Sequence, residues 1–138
     1  MIGYITLGVD DMALARRFYT AFLPRLGYAL EISPEGLGFS LPENAEPGNT
    51  QPRLYVRTPF DGQGASAGNG AMVAFRAATQ ALVRELHAAA LDAGGRNEGS
   101  PGFRAEYSPH FFVGYLRDPQ GNKIALYCDD RSAPGRPD

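Results

Sequence analysis

The chain has 138 residues, 43% of them hydrophobic, and a formal net charge of −2. That length supplies one compact core burying about two thirds of the unfolded surface, and the near-neutral balance, with no Lys/Arg-rich run, excludes a general nucleic-acid or membrane-surface role. No apolar run approaches the roughly 18 residues of a membrane span, the start MIGYITLGVDD has no basic leader, and the lone Cys128 cannot close an internal disulfide, so a cytoplasmic location is expected.

Residues 3–9 alternate as a strand, with Ile5, Leu7 and Val9 on one face and Tyr4, Thr6 and Gly8 on the other. Asp10 or Asp11 then caps a helix, because a short carboxylate can accept from the free N–H groups of a first turn. In that helix Leu14, Phe18, Phe22 and Leu26, with Ala15 and Ala21, make an apolar stripe. Pro24 distorts its last turn and Gly27 ends it. Strands follow at about 28–33 and 36–41 around Pro34-Glu35-Gly36. Residues 42–52 are a polar loop, and Arg53–Thr58 is another strand with Leu54 and Val56 on its apolar side. The Gly- and Ser-rich stretch 59–69 reads as a linker; its spaced glycines open a strand rather than a helix, unlike a phosphate loop.

The pattern then restarts. Gly70–Arg76 is a strand, Thr79 caps a helix, and Leu82, Val83, Leu86, Ala89, Ala90 and Ala93 form its stripe up to Gly94-Gly95. Tyr4 and Met72, Asp11 and Thr79, Leu14 and Leu82, Phe18 and Leu86, Gly27 and Gly95 are each 68 residues apart. Cap, stripe and stop recur in register, which is the signature of an internal duplication. Its unit is strand–helix–three strands, the later strands of the second copy falling near 102–106, 110–117 and 122–128. Between the last two, Asp118-Pro119-Gln120-Gly121-Asn122 forms a tight turn, since Pro presets one φ and Gly supplies the positive one. On the closing strand Ile124, Leu126 and Cys128 alternate with Lys123, Ala125 and Tyr127, so Cys128 reads as a packed residue. The fold class is therefore α+β: one domain over 1–128 made of two βαβββ modules, about 3–58 and 70–128, with linker 59–69 and a loose tail at 129–138. Helices cover one sheet face, and the other curls round a cleft lined by alternate strand residues.

The run ARRFYTAFLPRLGY, the G-x-x-V-A-F strand with its capped helix ending in Gly-Gly, and the terminal DPQGNKIALY together resemble the vicinal oxygen chelate superfamily, over about residues 3–128. That superfamily holds glyoxalase I, bleomycin-resistance proteins, fosfomycin-resistance enzymes and extradiol dioxygenases. The segment from Ala88 to Pro119 is most similar to glyoxalase-like bacterial proteins. The resemblance implies a homodimer. It also implies metal ligands at Tyr4, Tyr55, Met72 and Ala125, commonly His at the first and third and Glu or His at the others. None of these four is His, Asp, Glu or Cys. Zn²⁺ and non-haem Fe²⁺ sites need about three N, O or S protein ligands, so neither a metal nor another cofactor is expected here.

From strand parity the cleft residues are Tyr4, Thr6, Arg53, Tyr55, Arg57, Met72, Ala74, Arg76, Ala125 and Tyr127. The arginines suit a carboxylate or phosphate; alternatively they pair with Glu31, Glu106 or a partner subunit. The tyrosines suit a planar ligand, or fill the barrel themselves. His110, before Phe111-Phe112, is the candidate general base, against a strand-end histidine bonded to a loop carbonyl. His87 reads as a solvent-facing or boundary helix residue. These residues support a metal-free protein binding a small aromatic or anionic molecule through Tyr4, Arg53, Tyr55, Arg57, Met72, Arg76 and Tyr127. The alternative is a glyoxalase-like lyase or isomerase working by side-chain acid–base chemistry through His110; the third is a structural module with a closed cleft. The expected partner is a small-molecule ligand, with no nucleic acid and no membrane.

Overall fold

The computed structural model of the chain describes residues 1–42 and 51–138, so most of the polar loop expected at 42–52 lies outside the described residues. The elements run β1 (Tyr4–Gly8), α1 (Met12–Thr20), a 3-10 turn (Pro24–Leu26), β2 (Ala29–Ser33), β3 (Gly36–Ser40), β4 (Arg53–Arg57), β5 (Val73–Arg76), α2 (Gln80–Asp92), β6 (Arg96–Phe103), β7 (Phe112–Arg117) and β8 (Lys123–Cys128). They form two four-stranded sheets of the same order, β1-β4-β3-β2 and β5-β8-β7-β6. In each, the first strand runs parallel to the last and the other pairings are antiparallel. Two units with one topology are what the repeat at a spacing of 68 predicts.

Register follows the alternation. Ile5 stands opposite Leu54 and Leu7 opposite Val56, while Tyr4 faces Arg53 and Thr6 faces Tyr55. Leu54, Val56, Leu37 and Phe39 enter the core, as do Phe75, Ile124 and Leu126 of the second unit. The helices pack on this face. Asp11 caps α1 by accepting from Leu14 N at 3.0 Å, and Thr79 caps α2 by accepting from Leu82 N at the same distance.

The stripe of α1 differs from the expected one. Leu14 is exposed, and the helix stops at Thr20, before the 3-10 turn that Gly27 closes with φ 96°. The buried set of α1 is Ala15, Phe18 and Tyr19, with Phe22 and Leu23 buried just past its end. Steps of four residues drift by about 40° on a helix, so a line from Leu14 to Leu26 winds off the core. In α2 the buried set is Val83, Leu86, His87 and Ala90. At the spacing of 68 they match Ala15, Phe18, Tyr19 and Phe22, whereas Leu91, the match of the buried Leu23, is only partly buried. His87, expected at the surface, is only 4% exposed, with Nε2 3.0 Å from the Tyr115 carbonyl oxygen. Its counterpart Tyr19 also buries a polar ring and bonds across the core.

The expected strand at 102–106 is the eight-residue β6 at 96–103, which begins straight after Gly95 and is bulged twice against β7. At Gly95 an added Cβ would come 2.7 Å from the Phe18 ring, so the second unit's glycine lets α1 approach. Further contacts join the units: Phe22 and Tyr28 meet Phe75 edge-on at 5.8 and 5.9 Å, and Arg25 pairs with Glu85 at 2.7 Å.

The turn 118–122 is the main polar clasp. Asp118 is 2% exposed. Its Oδ1 accepts from the backbone N–H groups of Gln120, Gly121 and Asn122 at 2.8–2.9 Å. Its Oδ2 accepts from Tyr19 Oη at 2.7 Å and Asn122 Nδ2 at 2.9 Å. Asn122 Nδ2 also donates to the Gly8 carbonyl at 3.0 Å, and Gln120 Oε1 accepts from Asp10 N at 2.7 Å. The hairpin is therefore a joint to the first unit.

The tail, expected to be loose, is held by polar contacts. Gln80 Nε2 donates to Pro134 O at 2.9 Å, Arg136 N to Pro109 O at 2.6 Å, and the Arg136 guanidinium to Arg104 O at 2.8 Å and Tyr107 O at 3.3 Å. Sequence hydropathy carries no signal for such backbone contacts.

Candidate functional site

The sheet faces turned away from the helices carry the residues singled out by parity, but these do not share one cleft. Tyr4 and Arg57 line a hollow of about 580 Å³ with Thr6, Glu35 and Phe60. Arg53 and Tyr55 line a much smaller dent of about 80 Å³ with Glu31 and Ser40. Met72 lines two others. One, of about 290 Å³, lies at the seam between β1 and the approach to β5, with Ile5, Thr6, Val73 and Lys123. The second, of about 460 Å³, is walled by Tyr107, Phe111 and Tyr115, with Glu106 and Ser108.

In the first hollow, β1 and β4 run side by side, which brings Tyr4 and Arg57 to one face from opposite ends of a parallel pair. The Arg57 guanidinium lies 4.4 Å over the Tyr55 ring and 3.2 Å from Glu35. The Arg57 and Glu35 side chains are 37% and 70% exposed, so their pairing is weak and open to exchange. Tyr4 meets Tyr55 edge-on at 5.6 Å and is 67% exposed. Phe60 stands free of the surface altogether. Its loop is not adrift: Asp10 Oδ1 accepts from Ala65 N at 2.7 Å, and Gln120 Nε2 donates to Ala65 O at 3.1 Å.

The other predicted residues are placed differently. Arg76 is paired with Asp129 at 2.7 Å rather than with Glu31 or Glu106. Tyr127 lies stacked on Phe111 at 5.3 Å, behind the aromatic wall. His110 lines none of these hollows. It sits on the loop before β7 under the tail, where a Cβ on Gly135 would come 3.2 Å from its ring. Its Nδ1 is buried and has no hydrogen-bond partner among the described residues. Tyr115 has Lys123 Nζ 5.1 Å and the Arg104 guanidinium 5.5 Å from its ring centre. Partial burial raises the Tyr115 phenol above its ordinary value, and the Tyr107 hydroxyl adds to the rise.

Phe60, Tyr107, Phe111, Tyr115 and Lys123 were not among the expected site residues. Lys123 and Tyr115 were within reach, since Lys123 alternates onto the face of Ala125 and Tyr115 stands opposite Ala125. Phe60 and Tyr107 come from loops, which have no period to read.

The four positions that would ligate a metal hold Tyr4, Tyr55, Met72 and Ala125. Two neutral phenols, a thioether and a methyl group do not fit a hard or borderline divalent ion. Elsewhere among the described residues, no group of three His, Cys, Asp or Glu could hold one. No described helix is long and apolar enough to cross a membrane.

No protein-family model matches the chain, and no curated protein matches it. Solved structures do. A glyoxalase/bleomycin resistance protein from Albidiferax ferrireducens T118 is 30% identical, superimposes with a TM-score of 0.77, and the match covers 94% of this chain and 99% of that one. A glyoxalase-related enzyme from Fulvimarina pelagi is 22% identical with a TM-score of 0.65, covering 93% and 87%. A glyoxalase/bleomycin resistance protein/dioxygenase family enzyme from Burkholderia phytofirmans PsJN is 16% identical with the same TM-score, covering 93% and 98%.

Proposed function

We propose that this chain, which belongs to the glyoxalase/bleomycin resistance protein/dioxygenase (vicinal oxygen chelate) superfamily, binds a small aromatic acid and releases it unchanged. The observation that carries this reading is the meeting of Tyr4 and Arg57 in the hollow of about 580 Å³, beside the free ring of Phe60. Arg57 presents a planar fork suited to a carboxylate. Its present partner, Glu35, is exposed and held at 3.2 Å, so an incoming carboxylate competes with a weak pair rather than a buried one. Tyr4 and Phe60 supply ring surface for the ligand's body, and Thr6 adds a hydroxyl at the wall. A binding role suits the residues better than turnover does, because His110, the side chain selected for proton transfer, stands under the tail, away from this hollow.

The test is calorimetric titration with benzoate, phenylacetate and salicylate, with benzamide as the uncharged control. At least one acid should saturate at one per chain, benzamide should fail, and Arg57→Gln should weaken the acid about tenfold, the scale of one lost charge-assisted pairing. Recovered ligand should be chemically unchanged. Saturation by none of the acids, or undiminished affinity in Arg57→Gln, refutes the reading; a converted ligand would return it to the lyase or isomerase class.

A further inference from the structure

Lys123 is the one lysine in the chain, and it opens β8 on the face away from the helices. Three strand arginines on that side of the sheets are ion-paired: Arg57 with Glu35, Arg76 with Asp129, and Arg117 with Glu98. Lys123 has no carboxylate within ion-pair distance among the described residues. Glu98, across the sheet on β6, is committed to Arg117 at 2.6 Å. Arg104, the other cation on the Tyr115 ring, gives its N–H groups to the carbonyls of Phe103 and Ser100 at 3.2 and 2.9 Å. Lys123 is thus a half-buried ammonium with unused donors, steadied against Tyr115 at 5.1 Å and lining the seam hollow of about 290 Å³.

An unpaired positive charge in a hollow with apolar walls concentrates its field on whatever enters. Here the walls include Ile5, Leu7 and Val73, with the Thr6 hydroxyl as a second polar group. Met72 is shared with the adjoining hollow of Tyr107, Phe111 and Tyr115. We infer that Lys123 anchors the carboxylate of a small arylalkyl monocarboxylic acid at the seam, with the aryl body passing Met72 into the aromatic hollow. One cation selects a monoanion, and the ring wall selects the body. This site shares Thr6 with the Arg57 hollow, but neither cation lines the other's hollow.

Because Lys123 is the sole lysine, reductive methylation with isotopically labelled formaldehyde marks only Lys123 and the exposed amino terminus, and keeps both charges. Hydrocinnamate is titrated against the labelled protein, with hydrocinnamide as the neutral control. The Lys123 resonance should move saturably with the acid and stay put with the amide, while the amino-terminal resonance serves as reference. In calorimetry Lys123→Met should weaken hydrocinnamate about tenfold or more, the scale of one charge-assisted contact. The comparison is made in the Arg57→Gln background, so that binding in the Arg57 hollow does not enter it. Lys123→Gln, checked for a parental melting profile, repeats the measurement if the Met variant folds poorly. A linear, unsaturated drift, an equal response to the amide, or full affinity in both Lys123 variants overturns the inference.

Discussion

The polar clasp at Asp118 invites a direct measurement through Tyr19→Phe. The substitution removes one oxygen, keeps the ring among Phe18, Phe22 and Phe39, and deletes the 2.7 Å bond to Asp118 Oδ2. A hydrogen bond to a charged acceptor contributes about 1.5–3 kcal/mol. The carboxylate keeps its three backbone donors and Asn122, so the loss should fall near the middle of that range, about 2 kcal/mol. For a chain of this size that lowers the melting temperature by roughly 6 °C. The variant also carries a pH signature. Burial, and next the charge and acceptor of Asp118, hold the Tyr19 phenol well above its ordinary value. A group whose pKa is raised on folding gives its full contribution below the unfolded value, about 10, and loses it as pH climbs from there through the folded value. The parent should therefore lose stability above about pH 10 more steeply than Tyr19→Phe does. Urea unfolding followed by circular dichroism at neutral pH and across the alkaline range measures both effects. A variant as stable as the parent, with the same alkaline slope, would show that this bond does not hold the two units together.

Other substitutions probe other parts of the structure. Thr79→Ala and Asp11→Ala each remove a cap bonded at 3.0 Å and should cost about 1 kcal/mol; sitting on separate helices, their effects should add in the double variant. Gly114→Ala would set a Cβ 2.9 Å from the His87 ring and 3.0 Å from Pro101, and should destabilise by about 1–3 kcal/mol in chemical denaturation. Arg136→Ala unties the tail from the carbonyls of Arg104 and Tyr107, so amide exchange across 104–111 should quicken while the α2 amides keep their protection.

The fold was open to sequence reading because its periodicities are strong. The opening strands, the two helix caps and the glycine stops recur at one spacing, a proline-glycine turn marks the last hairpin, and backbone pairing followed them. The α1 stripe misled because Leu14 is apolar and Tyr19 carries a hydroxyl. Polarity hid a buried ring, as it did for His87 at the matching place in α2. Both are buried because their polar tips find fixed partners far along the chain, and hydropathy does not encode distant partners. The candidate site was half legible for a related reason. Parity put Tyr4 and Arg57 on one face, and they do share a hollow. It could not foresee that Asp129 would take Arg76, or that Phe60 and Tyr107 would arrive from loops.

The strand order has a consequence for how the protein is made. β8, last in chain order of the described strands, occupies an interior place in its sheet, between β5 and β7. Val73 must wait for Ile124 before the parallel ladder can begin, whereas Tyr4 finds Arg53 before any strand of the second unit is made. The first sheet can thus assemble during translation, but its sibling stays an incomplete scaffold until β8 has been made. A premature stop anywhere before codon 123 would leave that sibling without its centre, a product fit for proteolysis rather than for partial activity.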